Sequence, residues 1–156
     1  MQEIITPTEL LAVWQGNRHL TRKVIELFPE KDFFEFSIGG MRPFAGLTKE
    51  FLAIAVPGLT EILGGEIKEF NDTFEDLKTK EDYLKLWDES TEKINELLPK
   101  ISHEKFREKH NLFGQYAFPV IDNVIYFIEN EIHHRGQGYV YLRALGIQPP
   151  FFWDRQ

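Results

Sequence analysis

Apolar residues recur at three- and four-residue steps in four stretches of the chain, and each stretch predicts a helix. The first opens at Thr6-Pro7-Thr8-Glu9, where Thr as N-cap, Pro at the first helical position and Glu at the third form a capping box. Leu10, Val13, Trp14, Leu20, Val24, Leu27 and Phe28 then define one face, which ends before Pro29. A second helix spans about Phe44 to Leu63, with Phe44, Leu47, Phe51, Ile54 and Ile62 on one side. Pro57 lies inside it and is expected to kink or interrupt it, because proline removes a backbone donor. Thr79-Lys80-Glu81-Asp82 opens a third, carrying Tyr83, Trp87, Ile94, Leu97 and Leu98 up to Pro99. The fourth begins near Pro119 and runs to about Leu145, with Gly146 as its C-cap.

The breaks between them are rich in turn residues. Residues 29–43 hold Pro29, Gly39, Gly40 and Pro43 around Phe33-Phe34-Glu35-Phe36, and read as a loop lying on the domain. Gly64-Gly65 starts a polar connection, and residues 100–117 read as a long, partly helical one. No strand pattern matches the helices in strength. The expectation is an all-α, up-down four-helix bundle, one domain over residues 1–156.

Composition changes this picture in a few places. Fourteen phenylalanines, five tyrosines and three tryptophans imply a core or pocket wall built from rings. A net charge of −7 with no basic run longer than two residues argues against a broad nucleic-acid surface. With no cysteine, neither a disulfide framework nor a cysteine nucleophile is available, which fits a cytoplasmic protein. Met1-Gln2-Glu3-Ile4-Ile5-Thr6-Pro7 lacks the basic and apolar regions of a signal peptide, and no stretch is long and apolar enough for a membrane span.

The chemistry is concentrated in the last helix. Glu131-Ile132-His133-His134-Arg135-Gly136-Gln137 interrupts an apolar pattern with groups that are costly to bury unpartnered. On a helical wheel Val120, Val124, Ile128 and Leu142 centre the apolar stripe, and Glu131 and Arg135 fall on the same line one turn apart. They form either an ion pair that fixes register or polar anchors for a ligand. His134 sits at the edge of the stripe with Asn130 one turn before it, while His133 points away. Glu129 and His133 have the same spacing on the outer face. In the second helix Glu50 stands between Leu47 and Ile54, and is either drawn toward the inner face or part of a solvated Lys49-Glu50 surface.

The run HHRGQ-x3-YLR-x2-G-x2-PP (residues 133–150), with Met41-Arg42-Pro43-Phe44 and Trp87-Asp88-Glu89-Ser90 in order before it, resembles the DinB-like family of four-helix proteins. The resemblance implies a bundle that is often dimeric and often holds a divalent metal, zinc or nickel among them, between helices two and four. Activities in that superfamily include thiol-cofactor transferases and a maleylpyruvate isomerase. Its metal triad is one histidine on helix two and an H-x3-H pair on helix four, ending directly before Arg-Gly-Gln. Carried over, the last histidine is His134, the first of the pair falls on Asn130, and the helix-two histidine falls on Glu50. Replacing two imidazoles with oxygens moves the preference toward harder cations and weakens it, so the implied site is altered or degenerate.

Three readings stay open. One is a metal-dependent hydrolase or thiol transferase, with one divalent ion on Glu50, Asn130 and His134 and with Arg135 and Gln137 contacting substrate. Another is a small-molecule binding protein without metal, anchored by Glu131 and Arg135. The third makes the aromatic tail, Phe151-Phe152-Trp153, a homodimer or lid contact.

Overall fold

The structure, a computed structural model, describes residues 4–156. Met1, Gln2 and Glu3, which belong to the leader reading above, lie outside the described residues. Helix α1 (Pro7–Leu27) begins as the capping box dictates: the Thr6 hydroxyl accepts the Glu9 amide at 3.2 Å, and the Glu9 carboxylate accepts the Thr6 amide at 2.8 Å. A one-turn helix α2 (Glu30–Glu35) replaces the expected loop and buries Phe33 against Phe28, Phe44 and Tyr83. Helix α3 (Phe44–Ile62) passes through Pro57 without interruption. Helix α4 (Lys80–Leu97) starts on a second capping box, Thr79 with Asp82, and ends in a 3-10 turn at Leu98–Lys100. Helix α6 (Val120–Ala144) ends at Gly146, whose φ of 75° suits the left-handed position after a helix.

Contacts between the long helices close a ring, α1 to α4 to α3 to α6 and back to α1. The long helices α1 and α3, joined by residues 28–43 with α2 among them, therefore stand across the bundle from each other. The ring puts α3 beside α6, the neighbours on which the implied site depends. Glycines set two of the close approaches. A Cβ on Gly58 would lie 2.7 Å from Cζ of Phe127, and one on Gly138 2.5 Å from Cε2 of Phe44. Burial differs from the predicted α1 face at Val13 and Leu27, which are exposed.

Residues 100–119 hold more order than the pattern implies. Helix α5 (His103–Arg107) is followed by an antiparallel hairpin, β1 (Lys109–Leu112) with β2 (Tyr116–Pro119). Its turn places both Phe113 (φ 54°) and Gly114 (φ 71°) in the left-handed region. The buried Glu61 carboxylate of α3 accepts the Phe113 amide at 3.0 Å and lies 2.8 Å from His110 Nε2, which ties the turn to the bundle.

Candidate functional site

Glu50 on α3 and Asn130 and His134 on α6 meet where the two helices face each other. Asn130 Nδ2 donates to Glu50 Oε1 at 2.7 Å, and His134 Nε2 lies 3.4 Å from the same oxygen. The other carboxylate oxygen, Oε2, accepts from Arg42 in the segment before α3. Arg42 is held there by Tyr141, whose hydroxyl donates to the Arg42 carbonyl at 2.9 Å, and its guanidinium also lies 3.8 Å from Asp72 in the following connection. The second ring nitrogen of His134, Nδ1, faces Gln137 Oε1 at 3.2 Å, so Gln137 orients the imidazole. His133 is exposed and turned away, although its ring edge touches that of His134.

These contacts set the charge at the centre. The His134 contact is the largest influence pulling the Glu50 acid down, to about 2, with Arg42 and Asn130 adding to it against the opposing effect of burial. Glu50 is thus a carboxylate across the ordinary pH range. It also stands in the wall of a small cavity of about 60 Å³, lined by Ile54, Phe70, Leu112, Phe113, Tyr116 and Tyr126. The hairpin supplies Leu112, Phe113 and Tyr116, and Tyr116 stacks on Tyr126 at 6.4 Å.

The set does not fit zinc or nickel as it stands. It offers one imidazole nitrogen, an amide that presents N–H rather than oxygen, and a carboxylate already carrying a guanidinium. Among the described residues no group of three or more His, Cys, Asp and Glu side chains is arranged to hold a metal. One atom stays unmatched: Asn130 Oδ1 is buried and has no hydrogen-bond partner.

Glu131 and Arg135 are built into a different place. They face α1, at 2% and 4% exposure, whereas Asn130 and His134 face α3. Their charged groups lie 3.9 Å apart, and each spends its hydrogen bonds on α1. Glu131 accepts from the Thr21 hydroxyl at 2.5 Å and from Trp14 Nε1 at 3.4 Å. Arg135 donates to the Asn17 carbonyl and to Asn17 Oδ1, both at 2.9 Å. Arg18, also buried, lies over the Trp87 ring at 3.9 Å and donates to Ser90 at 2.6 Å. Burial raises the Glu131 acid, partly offset by Arg18; burial also lowers Arg135, and lowers Arg18 to about 10. The arrangement braces α1, α4 and α6 together.

Sequence reasoning missed Arg42 as a site residue and missed the α1 side of this brace. A signal existed for the latter: Asn17, Arg18 and Thr21 are polar residues at helical spacing on the face that carries Trp14 and Val24. Arg42 had none, since its reach to Glu50 depends on how the α1–α3 crossover lands.

A family model described as the DinB family matches residues 1–154. A DinB-like protein from Bacillus subtilis (YjoA) superposes with a TM-score of 0.71 at 19% identity, over 92% of this chain and 96% of that one. A DinB-like protein from Bacillus cereus ATCC 10987 gives 0.71 at 16% identity, over 92% and 95%. No curated protein matches. At these identities the solved structures establish the fold.

Proposed function

This chain belongs to the DinB family, and from that premise we propose that its α3–α6 site is a small-ligand site compensated by Arg42 instead of a metal. The observation that carries this is the state of Glu50. Its carboxylate is ionised, held between Arg42, Asn130 and His134, and set in the wall of a ring-lined cavity. A carboxylate in the wall of a cavity lined also by Tyr116, Tyr126, Phe70 and Phe113 suits a small cationic or hydrogen-bond-donating group, such as an alkylammonium. Gln137 and His134 hold the polar side of the site, and Glu131 and Arg135 hold the helices that carry it.

The test is a titration of untagged protein with methylammonium through tetramethylammonium, in the presence of a chelator, followed by NMR. A ligand of so few atoms should saturate with a dissociation constant on the order of 1 mM. Binding should disappear in Glu50→Gln and weaken in Tyr126→Leu. Absence of saturable binding for every member of the series, or binding indifferent to Glu50→Gln, would sink the reading.

One observation favours a second reading, the metal-dependent hydrolase or thiol transferase. Turning the Asn130 amide would aim its unmatched oxygen at Glu50 and His134 and make an O/O/N set for a hard divalent cation. Manganese or magnesium titrations under the same conditions separate the two, since only this reading expects saturation at one ion per chain.

A further inference from the structure

Helix α3 has a second lined face, roughly opposite the one that carries Glu50. At ~100° per residue, Leu52 and Val56 stand on the far side of the helix from Glu50 and Ile54. With Pro57, with Phe74 from the connection after α3 and with Leu86 of α4, they floor a groove whose cavity measures about 590 Å³. Leu52 is buried, Val56, Phe74 and Leu86 are half-buried, and Pro57 is exposed. The cavity beside Glu50 measures about 60 Å³, so this groove is the larger of the two and falls in the size range of small-molecule sites.

The rim gives the groove a sign. Glu89, Glu92, Lys93 and Glu96 of α4 stand along it, three carboxylates against one ammonium. Glu96 is taken up by two lysines, Lys93 at 3.0 Å and Lys100 at 2.8 Å. Glu89 and Glu92 are exposed and, among the described residues, have no ion-pair partner. Ser90, the buried hydroxyl in the same wall, is already spent: its Oγ accepts from Arg18 at 2.6 Å and donates to the Trp87 carbonyl at 2.8 Å. The groove therefore offers a guest an apolar floor and two unmatched negative charges. An apolar body loses water against the floor, and a positive end lies in reach of Glu89 and Glu92. An acid of the same shape, such as a fatty acid, meets like charge at that rim.

We propose that the α3–α4 groove binds amphiphilic cations, with an apolar chain or ring along Leu52, Val56, Phe74 and Leu86 and an ammonium group at Glu89 and Glu92. The groove shares no lining residue with the cavity beside Glu50, so it stands or falls independently of the function proposed for that site.

The probes are butyl-, hexyl- and octylammonium, with octanoate as the matched anion, titrated into the full chain and followed by the amide NMR signals of Val56 and Leu86. Octylammonium should saturate with a dissociation constant on the order of 0.1 mM, and each CH₂ removed should weaken binding roughly threefold. Octanoate should bind about tenfold more weakly than octylammonium. Glu89→Lys with Glu92→Lys should reverse that preference while the thermal midpoint stays near the native one, because both positions are exposed. Val56→Trp should fill the groove and abolish octylammonium binding. Glu50→Gln should leave octylammonium binding unchanged, which separates this groove from the α3–α6 site. The proposal is overturned if no probe saturates, if octanoate binds as tightly as octylammonium, or if affinity ignores chain length or the charge reversal. Binding that is lost in Glu50→Gln would overturn it as well.

Discussion

Glu50 shows how one residue's surroundings decide its chemistry. Its acid is held near 2, below the ordinary glutamate value of 4.5, by His134 first and then by Arg42 and Asn130. A folded-state value below the unfolded one contributes stability above the unfolded value and loses it as pH falls toward the folded one. We therefore expect Glu50→Gln to cost about 1–2 kcal/mol at pH 7, reduced from the usual strength of charged hydrogen bonds because Arg42 is half exposed. Between pH 4.5 and 2 the difference should shrink, which denaturant melts of both proteins at pH 7 and pH 3 will measure. Glu50 joined Asn130 and His134 only through the family resemblance, whereas the pairing of Asn130 with His134 was legible from one turn of helical spacing. The direction of the Asn130 amide was not, because it is set by which group it faces across the interface. Nor was the guanidinium on Glu50, because Arg42 is placed by the crossover between α1 and α3 and by the Tyr141 hydroxyl.

Two glycines two residues apart on α6 make opposite predictions for the helix. Gly138 faces Phe44, so Gly138→Ala forces a ring aside and should destabilise by about 1–3 kcal/mol. Gly136 faces open space, so Gly136→Ala should stabilise the helix by up to about 1 kcal/mol through propensity. Thermal melts of the two variants beside the native chain will show whether the signs differ. The long elements were readable because start signals and apolar periodicity are local: the Thr6 capping box formed as written, and helix α4 starts after Thr79 as its sequence predicts. The hairpin was not, because its turn lacks the Asn-Gly signature. Phe113 takes a conformation that side chains avoid, held there by a carboxylate 52 positions away in sequence. Helix α2 escaped notice because six residues are too few to show a period.

At the scale of the molecule, two polar systems divide the inner faces of α6. The buried brace of Arg18, Glu131 and Arg135 joins it to α1 and α4, and the Glu50 cluster joins it to α3. Removing the acid from the brace leaves the buried cations Arg18 and Arg135 without their shared counter-charge, so Glu131→Ala should cost about 3–5 kcal/mol, measured by urea unfolding. The same loss in the Glu50 cluster should be far milder, which is why that cluster has room to act as a site. In the proposed reading, Arg42 takes the place at Glu50 that the family resemblance gives to a metal. Isothermal titration of untagged protein with zinc tests this most directly, comparing the native chain with Glu50→His plus Asn130→His. We expect no tight zinc binding by the native chain. The double variant should bind one zinc at least 100-fold more tightly, and zinc in excess should stabilise it by about 3–4 kcal/mol. Tight one-to-one zinc binding by the native chain, or no gain in a double variant that remains folded, would contradict the account.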